Sequence, residues 1–465
     1  MDKRKVMVIG LDCATPQLLF ERYKKDLPNI SRLMEQGTWG KLRSTTPPIT
    51  VPAWAAMTTS KHAGDLGVYG FRSRKAGAAY DDMDIAHGGM ITEKRVWDYL
   101  GDAGYKVGML GVPQTYPITK PVNGMQVTCF LTPSTKDEFT WPRELKKEIV
   151  DMVAPDDYIF DFANRSQEPP EKALEIIIKM TKQRQKIFRH WVQNKNWDFL
   201  MMVEMGVDRI HHYLWHFMDP QHKDYLPGNP FEGKILDYYR DIDAFIGEMQ
   251  QLAPKDTVLY VVSDHGAKRM EGMFVINEWL IDHGYLVLKS FPSTPTTIEK
   301  CDVDWSRTKA WAWGGFYSRL FVNVAGREPQ GCVPPEEVDA LLEEIRTKLM
   351  EERVGPNGEE MPPHQIYRSQ ELYDVTNGDS PDLLIFWGDL FWKVAGTVGY
   401  HTHYIEHDDK GLDYGVHDWN GVFVKYDPAH PGKGERPDLN ILDVTPTILH
   451  DFGITIPSGL RGKVI

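Results

Sequence analysis

The 465-residue chain carries 53 Lys and Arg against 66 Asp and Glu, a net charge of -13, and is 42% hydrophobic. That length suffices for a large core in one main domain, and an ordinary apolar content excludes a disordered or fibrous chain. The acidic balance, with no Lys/Arg-rich run, argues against a nucleic-acid groove. No stretch approaches the length needed to cross a bilayer. Four scattered cysteines, Cys13, Cys129, Cys301 and Cys332, read as reduced thiols. The apolar run 6–9 is too short for an export-signal core, so a cytoplasmic location is expected.

The chain opens with Val6-Met7-Val8-Ile9-Gly10-Leu11-Asp12, a predicted strand with a carboxylate at its tip. Asp12 suits a metal ligand there, or a cap for a helix starting near Pro16. Residues 27–34 have helical spacing and Gly37 stops them; 40–45 reads as a short strand. Then come Pro47-Pro48-Ile49-Thr50-Val51-Pro52-Ala53-Trp54. The prolines deny Thr50 regular structure and place it just before a helix starting near Ala55. A hydroxyl at an anion-friendly helix start is a candidate nucleophile; taken alone, a Thr between prolines is more often a capping or turn residue, and metals nearby would decide for the nucleophile. The glycine-rich stretch with Lys61 and Arg72 is expected to bring basic and aromatic groups to one rim. Residues 116–194 read as an insertion with an amphipathic helix at 171–192.

A further strand is predicted at 197–203, followed at once by Asp208 and His212. Four apart on a helix, they share a face and can chelate one ion. The amphipathic helix 234–251 leads to Leu259-Tyr260-Val261-Val262-Ser263-Asp264-His265-Gly266. This is a buried parallel strand ending in a carboxylate, an imidazole and a glycine. Ligands of open α/β sheets sit at the carboxyl ends of strands, so Asp12 and Asp264 are expected side by side. Their repulsion would fall if they shared a dication. The region 301–414 reads as a second insertion. His417, just before the apolar strand 422–424, is the best remaining ligand; His401 and His403, expected on one strand face, are the runner-up pair or substrate contacts. Residues 441–449 close the chain as a helix beneath the sheet.

These pieces together resemble the type I phosphodiesterase / nucleotide pyrophosphatase branch of the alkaline phosphatase superfamily. The matching motifs are Gly-Leu-Asp at 10–12, Pro-Pro-Ile-Thr-Val-Pro-Ala-Trp at 47–54, Asp-x-x-x-His at 208–212, Ser-Asp-His-Gly at 263–266 and Gly-x-His at 415–417. The resemblance implies an α/β fold, a mostly parallel central sheet flanked by helices, as one catalytic domain with cap-like insertions at about 116–194 and 301–414. It implies two divalent metals, zinc foremost, with manganese or iron as alternatives. Asp12, Thr50, Asp264 and His265 would hold one, and Asp208, His212 and His417 the other. Thr50 would attack phosphorus and form a covalent phospho-threonine intermediate. Lys61, Trp54 and Arg72 are the expected substrate contacts.

One departure stands out. The nucleotide pyrophosphatases carry an Asn three positions after the nucleophile, where this chain has Ala53; Lys61 or a backbone N–H would have to replace it. The missing arginine of the sulfatase motif after Thr50 argues against a sulfatase. The expected substrate is a small organic or nucleotide phosphodiester. The alternatives are a phosphomonoesterase or phosphomutase of the same superfamily, and a catalytically dead metal-binding scaffold.

Overall fold

Short, fully apolar strands alternate with longer amphipathic helices along this chain, and that pattern builds a parallel sheet clothed on both faces. The computed structural model describes residues 4–75, 80–162, 168–411 and 413–465. In chain order the elements that position the site begin with β1 (Val6–Leu11), α1 (Pro28–Gln36), β2 (Thr38–Arg43) and α2 (Thr50–Thr59). Next come β3 (Val107–Leu110), β4 (Gly124–Val127), β5 (Thr140–Trp141), α3 (Pro170–Asn194), β6 (Phe199–Glu204) and α4 (Gly206–Met218). They are followed by α5 (Lys234–Leu252), β7 (Val258–Val262) and β8 (Gly266–Arg269). The last third supplies β9 (Ala310–Trp313), β10 (Ser318–Val322), β11 (Gln365–Arg368), β12 (Leu383–Phe386), β13 (Gly415–Asp418), β14 (Asn420–Tyr426) and α6 (Val444–Asp451).

The central sheet reads β2-β14-β7-β1-β6-β3-β4-β5, with two short strands outside β2. Its middle, β7-β1-β6-β3-β4, is parallel; β14 and β5 are antiparallel to their neighbours. Val6 of β1 is in register with Phe199 of β6 and Val258 of β7. Side chains alternate across a pleated strand. Met7, Ile9 and Leu11 therefore join the core formed with α1, α3, α4 and α5. Val6 and Val8 join the opposite core with α2 and α6. Because β1, β6 and β7 run the same way, the residues following each emerge at one end of the sheet.

Two expectations change in detail. Thr50 is the first residue of α2, so the helix starts five residues earlier than the sequence reading placed it. Pro52 is accommodated because the first turn of a helix leaves its N–H groups without intrahelical partners. Within 116–194, β4 and β5 extend the central sheet at its edge, and only the remainder lies outside it. The stretch 301–414 contains a separate antiparallel sheet ordered β9-β10-β12-β11. Among the described residues no helix is long and apolar enough to cross a membrane.

Candidate metal and active site

Asp12 directly follows β1, and Asp264 and His265 lie two and three residues beyond β7. All three are fully buried, and one ligand atom from each can meet within 4.8 Å. The His265 Nε2 atom lies 3.2 Å from Asp264 Oδ2, 3.7 Å from Asp12 Oδ1 and 3.3 Å from the Thr50 hydroxyl. A second group forms where α4 crosses the end of the sheet. His212 Nε2 is 3.0 Å from Asp208 Oδ1, one helical turn away, and 3.2 Å from His417 Nε2. The chain brings His417 there by pairing β13 antiparallel to β8, with His417 opposite Ala267. The His265 and His417 rings stack at 3.8 Å, so the two groups adjoin.

Three observations fit this constellation to divalent cations. Asp12 Oδ1 and Asp264 Oδ2 are buried with no hydrogen-bond partner, which is costly for a carboxylate unless a cation accepts it. Each imidazole points its Nδ1 at a backbone carbonyl: His417 at Pro48 (3.0 Å), His212 at Gly415 (2.7 Å) and His265 at Gly266 (3.1 Å). An Nδ1–H donated in this way leaves each Nε2 lone pair for a metal. Finally, the electrostatics are those of crowded ligands. Burial, then repulsion from Asp208, pushes the Asp12 carboxyl well up; burial, then Asp12, does the same to Asp264. Burial would also raise Asp208, but the His212 imidazole and the Arg209 guanidinium overcome it and hold that carboxyl well below the usual range. Burial pulls His265 down to about 4 and His417 well down. Neutral imidazoles beside carboxylates are a donor set suited to zinc and its neighbours.

Thr50 and the second group open onto a cleft of about 750 Å³, with the first group buried behind them. Thr50, Asp208, His212 and His417 form its floor; its walls include Phe71, Arg209, Phe316 and the segments 130–135 and 157–161. Arg209 is a cation the sequence reading missed. Its guanidinium is already held by Asp208 and by both oxygens of Asp161, at 2.7 and 2.9 Å. Phe316 stacks on His417 at 3.9 Å.

The expected substrate contacts fall elsewhere. Lys61 lies past the far end of α2, 3.7 Å from Glu93, in a separate depression near 458–461. Trp54 is fully buried, and its indole N–H donates to Asp12 Oδ2 at 2.7 Å, so it orients a ligand rather than a substrate. Arg72 is exposed, and its carbonyl accepts from Arg319; its neighbour Phe71 is the residue that reaches the cleft. His401 and His403 are not on a strand. His403 pairs with Asp282 at 2.9 Å and His401 stacks on Phe291 at 4.9 Å. Of the aromatics, Tyr158 and Phe160 line the cleft, whereas Trp311, Trp313 and Trp392 pack in the core of the 301–414 region.

Fold and site together define a metal-dependent phosphoesterase: a hydroxyl at a helix start, facing paired clusters of carboxylates and imidazoles at the carboxyl end of a parallel sheet. The sequence model of the type I phosphodiesterase / nucleotide pyrophosphatase family matches residues 6–419, and the chain belongs to that family, a hydrolase of phosphoric ester bonds. No curated protein matches it. Among solved structures it is similar to human ectonucleotide pyrophosphatase / phosphodiesterase 5, with 14% identity, a TM-score of 0.57, and coverage of 98% of this chain and 96% of that one. An inactive murine form of the same protein in complex with AMP gives 12% identity and a TM-score of 0.56, with the same coverage. Phosphonoacetate hydrolase from Sinorhizobium meliloti 1021 in complex with phosphonoformate gives 13% and 0.58, covering 97% of this chain and 95% of that one. At these identities the likeness is one of fold.

Proposed function

We propose that the chain hydrolyses a small organic or nucleotide phosphodiester through a covalent threonine intermediate, with Thr50 as nucleophile. The observation that carries this reading is the Thr50 hydroxyl, held at the first residue of α2 beside His265 Nε2 and open to the cleft. Asp12, Asp264, His265 and Thr50 would hold one divalent ion, and Asp208, His212 and His417 the other, with zinc the best match to the donors. Two such ions, when bound, supply the positive charge that lowers the pKa of a hydroxyl or water and offsets the charge growing on phosphorus.

The chain's own residues do the rest. Thr50 gives up its hydroxyl proton as Oγ attacks in line; the Oγ–P bond forms as the bond to the leaving alkoxide breaks, and the alkoxide takes up a proton to depart as the alcohol. Water then cleaves the threonine ester and restores the hydroxyl. The Thr50 and Val51 N–H groups at the start of α2, with its dipole, would face the transferred group and supply the donor that the Ala53 side chain cannot; the Ala53 N–H is already given to the Ile49 carbonyl. Trp54 and the three backbone carbonyls fix the ligand orientations. The insertions at about 116–194 and 301–414 act as caps, because 130–135, 157–161 and Phe316 come from them. Tyr158 and Phe160 offer flat apolar surface to an organic arm; the AMP in the murine relative is consistent with a planar one. All four cysteines are free, in keeping with a reducing, cytoplasmic setting.

A diester suits the cleft better than a monoester. A dianion needs an extra cation beside the nucleophile; among the described residues Arg209 is the one whose guanidinium reaches the cleft, and it is already neutralised by Asp161 and Asp208. The test is kcat/KM for p-nitrophenyl phosphate against a p-nitrophenyl diester at equal metal loading. A diester preference is expected. Thr50→Ala should lose about three or more orders of magnitude in turnover, and Thr50→Ser should keep part of it. Near-normal hydrolysis by Thr50→Ala would overturn the nucleophile, and a clear monoester preference would overturn the substrate class.

A further inference from the structure

The second ligand group holds a fourth donor. Cys13 follows Asp12 at the tip of β1, and its Sγ comes within 4.8 Å of the ligand atoms of Asp208, His212 and His417. We propose that Cys13 is a ligand of the metal held by these three residues, completing a Cys-Asp-His-His site. This inference rests on the two-metal reading above and sharpens it.

The geometry supports a four-coordinate site. Tetrahedral zinc with ligands at about 2.0–2.3 Å separates its donors by roughly 3.3–3.8 Å. The Asp208, His212 and His417 atoms lie 3.0, 3.2 and 3.7 Å apart. Cys13 Sγ is the fourth donor within 4.8 Å of these atoms, and the residue is fully buried. Its backbone is in the left-handed region, at φ 65°, which a residue with a Cβ rarely adopts. Strain of this kind persists where the surroundings over-determine it, and it gathers at functional sites. Here the surroundings are visible: the Cys13 amide donates to Asp264 Oδ1 at 3.2 Å and its carbonyl lies 3.1 Å from His211 Nδ1. The turn is thus clamped between Asp264 of the first ligand group and His211 on α4. The competing role of the thiol is a weak S–H donation to the Gly266 carbonyl at 3.4 Å. Coordination would release that proton to solvent and replace a weak contact with a metal–sulfur bond.

Two consequences follow for the reaction. A thiolate gives this metal a second anionic ligand beside Asp208, which lessens its residual positive charge and favours a monoanionic diester over a dianion. It also shifts selectivity toward zinc and away from manganese or magnesium, because sulfur is a soft donor.

X-ray absorption at the zinc edge reads the ligands directly, without activity. For wild-type protein loaded with two zinc ions, the expected result is one sulfur per two zincs at about 2.3 Å, beside nitrogen and oxygen near 2.0–2.1 Å. The sulfur should persist when Cys129→Ser, Cys301→Ser and Cys332→Ser are combined, and vanish in Cys13→Ser. Cobalt substitution should show a sulfur-to-metal charge-transfer band with the same dependence. If Cys13→Ser does not fold, the wild type and the triple variant still decide. Two bound zincs with only nitrogen and oxygen ligands, or a sulfur signal that survives Cys13→Ser, would overturn the cysteine ligand and leave the two-metal reading intact. Binding of no metal would overturn both.

Discussion

Replacing Trp54 by phenylalanine removes one hydrogen bond and keeps an aromatic ring in the apolar core around α2. The indole N–H donates to Asp12 Oδ2 at 2.7 Å in a fully buried setting. The other oxygen of Asp12 has no hydrogen-bond partner among the described residues and faces His265 at 3.7 Å. In Trp54→Phe the carboxylate loses the indole N–H that fixes it and can rotate away from the ion it would hold. A hydrogen bond to a buried charged group contributes about 1.5–3 kcal/mol. That range corresponds to roughly 10–100-fold in affinity, the usual cost of losing an outer contact to a metal ligand. Zinc affinity measured by competition with a chromophoric chelator should fall by that factor, with one of the two ions lost first. Turnover at saturating zinc should recover most of the way. Gly10→Ala should act through the same contact, because a Cβ there would lie 2.5 Å from the Trp54 ring. The reasoning fails if folded Trp54→Phe binds both ions within about two-fold of wild type.

Two further outcomes test the surroundings of the site. The Lys393 ammonium is buried between Asp408 (2.5 Å) and Asp413 (2.8 Å) and lies 4.9 Å from the Phe316 ring. Lys393→Met removes the buried cation from between two partly buried carboxylates, so denaturant unfolding should show a loss of about 3 kcal/mol; a loss below about 1 kcal/mol would contradict the pairing. His216 is stacked on Tyr414 at 3.5 Å with its Nδ1 lacking a hydrogen bond, and burial, then His222, pulls its pKa down to about 4. Its folded value lies below the unfolded one, so the unfolded state binds more protons between these values. Stability from this group is therefore full above pH ~6.5 and is lost as pH falls toward about 4, by an amount of order 2 kcal/mol after allowing for partial solvent contact. The pH slope of Tm over that window should shrink in His216→Phe, and an unchanged slope would show that the acid sensitivity lies elsewhere.

Strand and helix identity, and the ends of strands that carry Asp12 and Asp264, were legible in the sequence because they depend on local periodicity. The run 6–12 and the run 259–266 each declare a buried strand followed by a carboxylate, and the four-residue spacing of Asp208 and His212 declares a shared helix face. None of that needs a distant partner. What the sequence could not supply were contacts made across the fold. His417 reaches the site because β13 pairs with β8, a long-range register with no local signal. Lys61 was expected at the rim of the site through the glycine-rich stretch that follows it. A ten-residue helix, about 15 Å long, carries it to the opposite end instead. Trp54 points inward to Asp12 rather than outward to substrate, and Arg209, one residue off the metal-facing stripe of α4, is turned into the cleft by Asp161 from another segment. Cys13 looked like one of four unrelated thiols; only the left-handed turn after β1 aims it at ligands nearly 200 and 400 residues away. Periodicity records which face a residue takes, while a site is an intersection of faces, and the intersection exists only once the sheet has closed its order.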